Sequence, residues 1–275
     1  MVGESTLLSV PSRVLRIPSA VVFALSAQLE ASFRDALKGR ASVTPVRSFD
    51  AVASALHATS DSVELVVLPS HDNVIEATRL VRLIIQERPM CAVVAYCRVG
   101  SQFSPDIRAL AAAGVHQFVF LGIDDTGIAL RDVLNRARRQ CAAVAVMDRL
   151  VRILPSTLHP LLELALTRPH YRTIPKLASA LGIHRKTLFN RCHRAKSVSP
   201  EELVVWARLA LVACLLQTTG CTIETISIDL HFPSVTALRN TMKRYTGMTA
   251  TQIKQGLGAD QVVAALESRL KKLRA

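Results

Sequence analysis

Between residues 235 and 247, side chains able to hydrogen-bond to nucleobases and phosphates recur on one side of a helical pattern. The apolar side holds Val235, Leu238 and Met242, and the polar side holds Arg239, Asn240, Lys243 and Arg244. Arginine donates two parallel hydrogen bonds to guanine, and asparagine pairs with adenine in the same way. Lysine and arginine also neutralise phosphates. These residue types at this spacing predict non-covalent recognition of a nucleic acid.

A second helix is needed to hold this one, and the sequence places it immediately before. Thr222 is positioned to cap a short helix whose apolar residues are Ile223, Ile226 and Leu230. Pro233 cannot continue that helix, so a tight turn is expected there. Two short helices joined by a tight turn, the second polar and basic, are typical of a DNA-binding helix-turn-helix.

The same plan occurs earlier in the chain, from Thr173 to Ser199. Before the turn the apolar residues of the two copies are 49 positions apart: Ile174, Leu177 and Leu181 correspond to Ile223, Ile226 and Leu230. After the turn the offset is 50: Leu188, Asn190, Cys192 and Arg194 correspond to Leu238, Asn240, Met242 and Arg244. The second copy therefore has one more residue in its turn. Two copies joined by one helix predict a paired DNA-binding unit rather than a solenoid.

The segment from about Thr173 to Lys254 resembles the DNA-binding domain of the AraC/XylS family of transcription regulators. The resemblance rests on the second copy: Ile226, Ser227, Phe232, Leu238, Asn240, Met242, Lys243, Arg244, Gly247 and Thr249. Between the copies, the apolar segment 208–216 resembles the linker helix of that family. Three residues depart from the family pattern, because His231 replaces the usual turn glycine, Met242 a phenylalanine and Ala250 a proline. The resemblance implies an all-α C-terminal domain with two helix-turn-helix units joined by a linker helix.

The outward positions of each second helix divide into two predicted sets. Those in the first two turns should contact bases: Arg185, Lys186, Phe189, Asn190, Ser234, Val235, Thr236, Arg239 and Asn240. The others should contact phosphates: Thr187, Arg191, Arg194, Lys243, Arg244 and Thr249. For any single member the alternative is ordinary solvated helix surface.

The uneven distribution of charge along the chain agrees with the prediction of nucleic-acid binding. The 275 residues carry a formal charge of +13. Residues 1–154 hold 17 basic and 14 acidic side chains, a net +3, and residues 155–275 hold 17 and 7, a net +10. A basic region favours a polyanion, because each neutralised phosphate releases condensed counterions. A fragment lacking residues 1–154 is therefore expected to bind double-stranded DNA, and to bind it more weakly as salt rises.

Other chemistries find little support. The six cysteines form no C-x-x-C pair, so buried free thiols are expected and no metal site or cofactor is predicted. The sequence shows neither an N-terminal signal pattern nor an apolar run of about 18 residues, so no membrane partner is expected. We expect a cytoplasmic protein located on the bacterial nucleoid. RNA polymerase is a further candidate partner.

The N-terminal part alternates between apolar runs and helical segments. The runs are 20–25, 42–47, 63–68, 91–96 and 115–121, and the helical segments are 28–37, 50–58, 73–88 and 105–113. Continuous apolar strands indicate a sheet covered on both faces. Strand-helix alternation predicts a flavodoxin-like α/β domain, with a doubly wound parallel sheet of five strands. This layout, and the segment Ile107–Phe118, resemble the receiver domain of response regulators.

The carboxylates that a receiver needs to hold Mg²⁺ and accept phosphate are missing from their expected places. The third strand ends in Leu68-Pro69-Ser70, and Ser26-Ala27-Gln28 stands where the paired acids would follow the first strand. Leu121-Gly122 replaces the lysine after the fifth strand, and Asp72 lies about three residues too late for the acceptor. We expect a receiver-like domain that cannot be phosphorylated.

The longest helix candidate runs from Thr126 to Leu154. Its apolar residues follow heptad spacing, and the predicted dimerisation seam is Leu130, Val133, Ala137, Val144, Met147 and Val151. One alternative is an ordinary fifth receiver helix packed on the sheet, and another is docking of its end on the DNA-binding region. Arg136, Arg138 and Arg139 are expected to form a solvated face.

The predicted organisation has four parts. Residues 1–125 form the receiver-like domain, 126–155 the connecting helix, 156–258 the DNA-binding domain and 259–275 an amphipathic helix that folds back or binds a partner. The function expected is a DNA-binding transcription regulator that acts as a homodimer. The alternatives are a phosphorylation-controlled response regulator, and an N-terminal domain that senses a small ligand or another protein. No nucleotide-binding or hydrolase motif supports an enzyme.

Overall fold

The computed structural model describes residues 18–58, 63–70, 73–100, 104–171, 173–218, 220–256 and 258–274. Five strands in this part of the chain form one parallel sheet in the order β2-β1-β3-β4-β5. The strands are β1 Ser19–Phe23, β2 Ser42–Val46, β3 Val63–Pro69, β4 Ala92–Cys97 and β5 Gln117–Phe120. The predicted doubly wound parallel sheet is confirmed. Residues 1–17 of the predicted receiver-like domain lie outside the described residues.

Helices cover both faces of the sheet. They are α1 Ala27–Leu37, α2 Phe49–Ala58, α3 Val74–Glu87, α4 Ser104–Ala113 and α5 Gly127–Leu150. Alternate residues of one strand point to opposite faces, so Val21 lies in the core on one side and Val22 in the core on the other. Strand β2 is the exception, because it lies at the sheet edge, is largely exposed and contains Pro45.

Helix α5 takes part in two cores. Leu130, Val133 and Ala137 in its first half are buried against the sheet. Val146 and Leu150 in its second half are buried in the core of the C-terminal helices. Two of the alternatives for this segment therefore both hold: it is the fifth helix of the α/β layer, and its end docks on the C-terminal region.

The double burial of α5 corrects two expectations. Leu130, Val133 and Ala137 are enclosed within the monomer, so these three seam residues are not available to a second chain. The three arginines do not form one solvated face either. Arg136 is exposed, but Arg138 is only 4% exposed and its guanidinium nitrogens have no hydrogen-bond partner. Arg138 lies where α5 passes from one core to the other, and little of the helix surface is exposed there.

The C-terminal region is all-α, as predicted. A short 3₁₀ helix, Ser156–Leu158, leads into α6 His159–Thr167, α7 Ile174–Ala180, α8 Arg185–Arg194, α9 Pro200–Thr218, α10 Ile223–Asp229, α11 Val235–Thr246, α12 Ala250–Gln255 and α13 Ala259–Arg274. Helix α9 is the predicted linker helix, and α5, α6, α8, α10, α12 and α13 all pack against it. Its apolar residues are buried on every side, which explains the absence of a polar stripe in its sequence.

The C-terminal helix α13 folds back onto this region. Val262, Leu266 and Leu270 are buried in the same core as α9, and Arg269 forms an ion pair of 3.3 Å with Glu202. A second ion pair, 2.5 Å long, joins Asp260 to Arg149 of α5. None of the described helices has the combined length and hydrophobicity needed to cross a bilayer.

Helix α5 and the loop after α1 contact the second helix-turn-helix unit directly. The Arg139 guanidinium donates a 3.4 Å hydrogen bond to the carbonyl of Asp229, the last residue of α10. Burial raises the pKa of the Asp229 carboxyl, and the nearby Arg139 and Arg40 partly offset that rise. At Gly220 a Cβ atom would collide with the Arg40 carbonyl, so the chain after α9 lies against the loop after α1.

The shared helix changes what a truncation should do. A fragment of residues 156–275 lacks Val146, Leu150 and Leu154, which pack in the C-terminal core, whereas a fragment of residues 138–275 keeps them. Each large buried side chain contributes about 1.5–3 kcal/mol, a large fraction of a typical stability of about 5–15 kcal/mol. We expect the shorter fragment to unfold at a much lower temperature in thermal denaturation followed by circular dichroism. Equal melting temperatures would show that α5 is dispensable to this core.

Candidate nucleic-acid interface

The two helix-turn-helix units share the same turn. In the first unit the Ile183 N–H donates to the Ala178 carbonyl at 3.0 Å, and in the second the Phe232 N–H donates to the Ser227 carbonyl at 2.8 Å. Both pairs are related by the 49-residue offset seen in the sequence. The turn residue just before the N–H donor has a positive φ in both units, +64° at Gly182 and +53° at His231. The missing turn glycine thus leaves the backbone conformation unchanged.

The additional residue of the second unit lies after the turn and before the next helix. Helix α8 begins after the cap His184, whose Nδ1 accepts a 3.2 Å hydrogen bond from the Lys186 N–H. Helix α11 begins after the cap Ser234, whose hydroxyl accepts a 3.0 Å bond from the Ala237 N–H. The offset from His184 to Ser234 is 50, as the sequence predicted.

The inward face of α11 fixes its orientation. Leu238 and Met242 are fully buried, and their counterparts Leu188 and Cys192 in α8 are also buried. Helix α11 ends at Gly247, which has the left-handed conformation typical of a helix C-terminus. The methionine that departs from the family pattern occupies an ordinary core position.

Two side chains of α9 hold the second unit from behind. The Arg208 guanidinium donates to the Leu230 carbonyl at the end of α10 and lies 4.4 Å from the Phe232 ring centroid. The Trp206 ring packs edge-on against Tyr245 of α11, with centroids 5.2 Å apart. Trp206 is therefore a core residue. Arg208 was missed by sequence reasoning, since nothing in an apolar helix indicates which turn an isolated arginine reaches.

Most residues predicted to contact bases lie on the exposed side of α8 or α11. The exposed members are Arg185, Lys186, Asn190, Ser234, Thr236, Arg239 and Asn240. Phe189 and Val235 are only partly exposed, because each packs against the C-terminal core. The Arg185 guanidinium lies 5.3 Å from the centroid of the Phe189 ring.

The residues predicted to contact phosphates are more varied. Thr187, Arg194, Lys243, Arg244 and Thr249 are exposed, and Arg191 is partly buried. The Thr249 hydroxyl accepts from the Gln252 N–H at 3.3 Å, and the Thr249 N–H donates to the Gln252 side chain at 2.8 Å. The Thr249 hydroxyl and backbone N–H therefore both take part in capping α12.

Two arginines of the base-contacting set form ion pairs within the chain. Arg239 lies 2.9 Å from a carboxylate oxygen of Glu224, in the first turn of α10, and Arg185 lies 4.0 Å from Glu201 at the start of α9. Sequence reasoning did not single out Glu224. Arg239 follows it by 15 residues, and only the turn between the two helices brings them together.

The edge of the sheet at the carboxyl ends of the strands differs from the two helix-turn-helix units, because exposed apolar side chains lie along it. Ser70 follows β3, and burial raises the pKa of the neighbouring Cys97 thiol to about 11, against a smaller lowering by the Ser70 hydroxyl. Exposed apolar side chains line this edge: Leu25, Ile75, Val99, Ile123 and Ile128. Among the described residues no group of three or more histidine, cysteine or acidic side chains could hold a metal ion. Asp72 lies outside the described residues.

Comparison with known proteins agrees with the C-terminal geometry. Residues 177–256 match the family model of a helix-turn-helix domain, a match that runs from α7 to the end of α12. It covers less than half of the chain. No curated protein matches. Among solved structures, full-length FixJ from B. japonicum is similar at 18% identity, over 68% of this chain and 94% of that chain, with a TM-score of 0.33.

The matched region is thus a helix-turn-helix domain, a class that binds DNA and regulates transcription. It is of the AraC type, with two units and a linker helix, as the residues of the second copy predicted.

The positive φ of His231 leads to a test of the turn. A residue with a Cβ in the left-handed region is disfavoured by about 1–2 kcal/mol, and glycine removes most of that cost. Glycine also increases the conformational entropy of the unfolded chain, which offsets part of this gain. We therefore expect His231→Gly to raise the free energy of unfolding by a net amount of about 0.5–1 kcal/mol. Chemical denaturation measures this, with His231→Ala as the control that retains the Cβ. A less stable glycine variant would mean that the imidazole itself holds the turn.

Proposed function

We propose that this protein is a sequence-specific DNA-binding transcription regulator whose two recognition helices, α8 and α11, enter the major groove. The observation that carries the proposal is the pair of helix-turn-helix units with the same turn and with exposed arginine, lysine and asparagine side chains on both second helices. The net charge of +10 in residues 155–275 supports a polyanionic partner. RNA polymerase is the second partner that we propose for a regulator of this type.

The N-terminal domain is proposed to regulate DNA binding without accepting phosphate. Supporting observations are Ser70 at the end of β3, where a receiver has its acceptor, and the exposed apolar side chains along the described part of the carboxyl edge. The contacts of Arg139 with Asp229 and of Arg40 with Gly220 give the domain a direct connection to the second unit. The exposed apolar edge also suits the alternative, in which the domain senses another protein.

A labelling experiment separates this proposal from a phosphorylation-controlled response regulator. We expect the full chain incubated with acetyl phosphate and Mg²⁺ to show no phosphorylated species by mass spectrometry. A stoichiometric adduct would contradict the proposal, and its loss in Asp72→Asn would identify the acceptor.

Mutations in α11 test whether the second unit recognises bases. Arg239→Ala removes a proposed bidentate contact and should weaken binding at the preferred sequence by about 1–3 kcal/mol, with relaxed preference at one or two positions. Lys243→Ala removes a proposed phosphate contact, so it should weaken all sequences about equally and lower the salt slope by about one. The measurement is a salt titration of affinity for a selected duplex and a random duplex. Identical behaviour of the two variants would mean that α11 does not recognise bases.

A homodimer is proposed through the half of the α5 seam that continues beyond the sheet. Val144 is 53% exposed, and Met147 and Val151 keep part of their surface. Val144→Asp would place a charge in that interface, so we expect it to shift the chain from dimer to monomer in sedimentation velocity. Val144→Thr, which keeps the shape without the charge, is the control. A wild type that is monomeric at tens of micromolar would rule the interface out.

A further inference from the structure

The carboxylate that pairs with Arg239 is held on two sides before any DNA arrives. Glu224 occupies the first turn of α10, where the helix dipole favours a negative charge. The pKa of its carboxyl lies below the usual value because it accepts hydrogen bonds from its own backbone N–H and from the Thr222 hydroxyl, with a further contribution from Arg239. The 2.9 Å contact of this carboxylate with Arg239 connects α10 to the exposed face of α11.

The first unit lacks this arrangement. At the offsets of 49 and 50, Glu224 corresponds to Pro175 and Arg239 corresponds to Phe189, so neither partner of the pair is present there. Arg185 of the first unit is paired only at 4.0 Å, with a residue of α9. The pair is thus particular to the second unit and does not belong to the shared helix-turn-helix framework.

We propose that Glu224 is a positioning residue that determines the specificity of the second unit by holding the Arg239 guanidinium in the orientation required at a base edge. This inference rests on the proposed function. Without a partner, an arginine side chain in this position would sample many rotamers and could contact any of several nearby phosphates. A guanidinium already paired on one edge presents its remaining N–H donors in a fixed direction, and it loses less side-chain entropy when it meets a base.

The Glu224 carboxylate should also disfavour binding to DNA that lacks the preferred sequence. Glu224 is exposed beside a helix that lies in the groove, so its charge repels phosphates wherever the favourable contact of Arg239 with a base is absent. Discrimination by an unfavourable contact as well as a favourable one is a general route to specificity. Glu224 should therefore weaken binding to random DNA while favouring the preferred sequence.

The test uses full-length variants and two probes: the duplex that the wild type enriches from a random library, and a random duplex of equal length. Glu224→Gln should lower the ratio of the two affinities about two- to fivefold, the range of an exposed ion pair. Affinity for the random duplex should rise, and its salt slope should steepen by about one, because the released guanidinium neutralises a phosphate. In an Arg239→Ala background, Glu224→Gln should leave the ratio unchanged.

Two further variants separate positioning from simple charge. Glu224→Asp keeps the charge but shortens the reach to Arg239, so the ratio should fall without a gain in affinity for random DNA. Glu163→Gln makes the same change in net charge on α6 and should leave the ratio at the wild-type value. A ratio that is unchanged in both Glu224→Gln and Glu224→Asp would overturn the inference. Failure of the wild type to enrich any sequence would instead overturn the proposed function.

Discussion

Burial of α9 on every side is the interaction on which the C-terminal half depends. A helix without a polar stripe is stable in water only if other helices enclose it. Here α5, α6, α8, α10, α12 and α13 pack against α9, and Tyr245 of α11 contacts its Trp206. Both helix-turn-helix units therefore share one hydrophobic core with α9. Their second helices are held in place by side chains buried in that core, such as Leu188 and Met242. The polar faces that remain outside owe their orientation to this enclosure and not to the short helices themselves.

Helix α5 extends the same constraint to the rest of the chain. At 24 residues it is about 36 Å long, and its two halves are buried in different cores. The sheet and the DNA-binding region therefore share a structural element instead of a linker. The arrangement has a cost, since Arg138 is enclosed at this junction without a hydrogen-bond partner, and a buried unpaired charge is unfavourable.

Features that repeat or alternate could be predicted from the sequence. The five apolar runs gave the sheet, and the 49- and 50-residue offsets gave both units and the position of the additional residue. What could not be predicted depends on contacts between distant residues. Heptad spacing in α5 could not distinguish a sheet, a helical core and a second chain as the partner of Leu130 or Met147. For the same reason the ion pair of Glu224 with Arg239 has no signature at the level of spacing.

The position of the additional residue shows where the two units can differ in length. Each residue inserted within a helix rotates everything beyond it by about 100°, since a turn takes 3.6 residues. An insertion inside α11 ahead of Leu238 would thus move Leu238 to the exposed position of Arg239 and bring Thr241 to the buried position of Met242. Between His231 and the cap Ser234 the chain is not helical, so one more residue lengthens the loop and leaves both inward faces in register. This short loop is where such a length change could be accepted without loss of the fold.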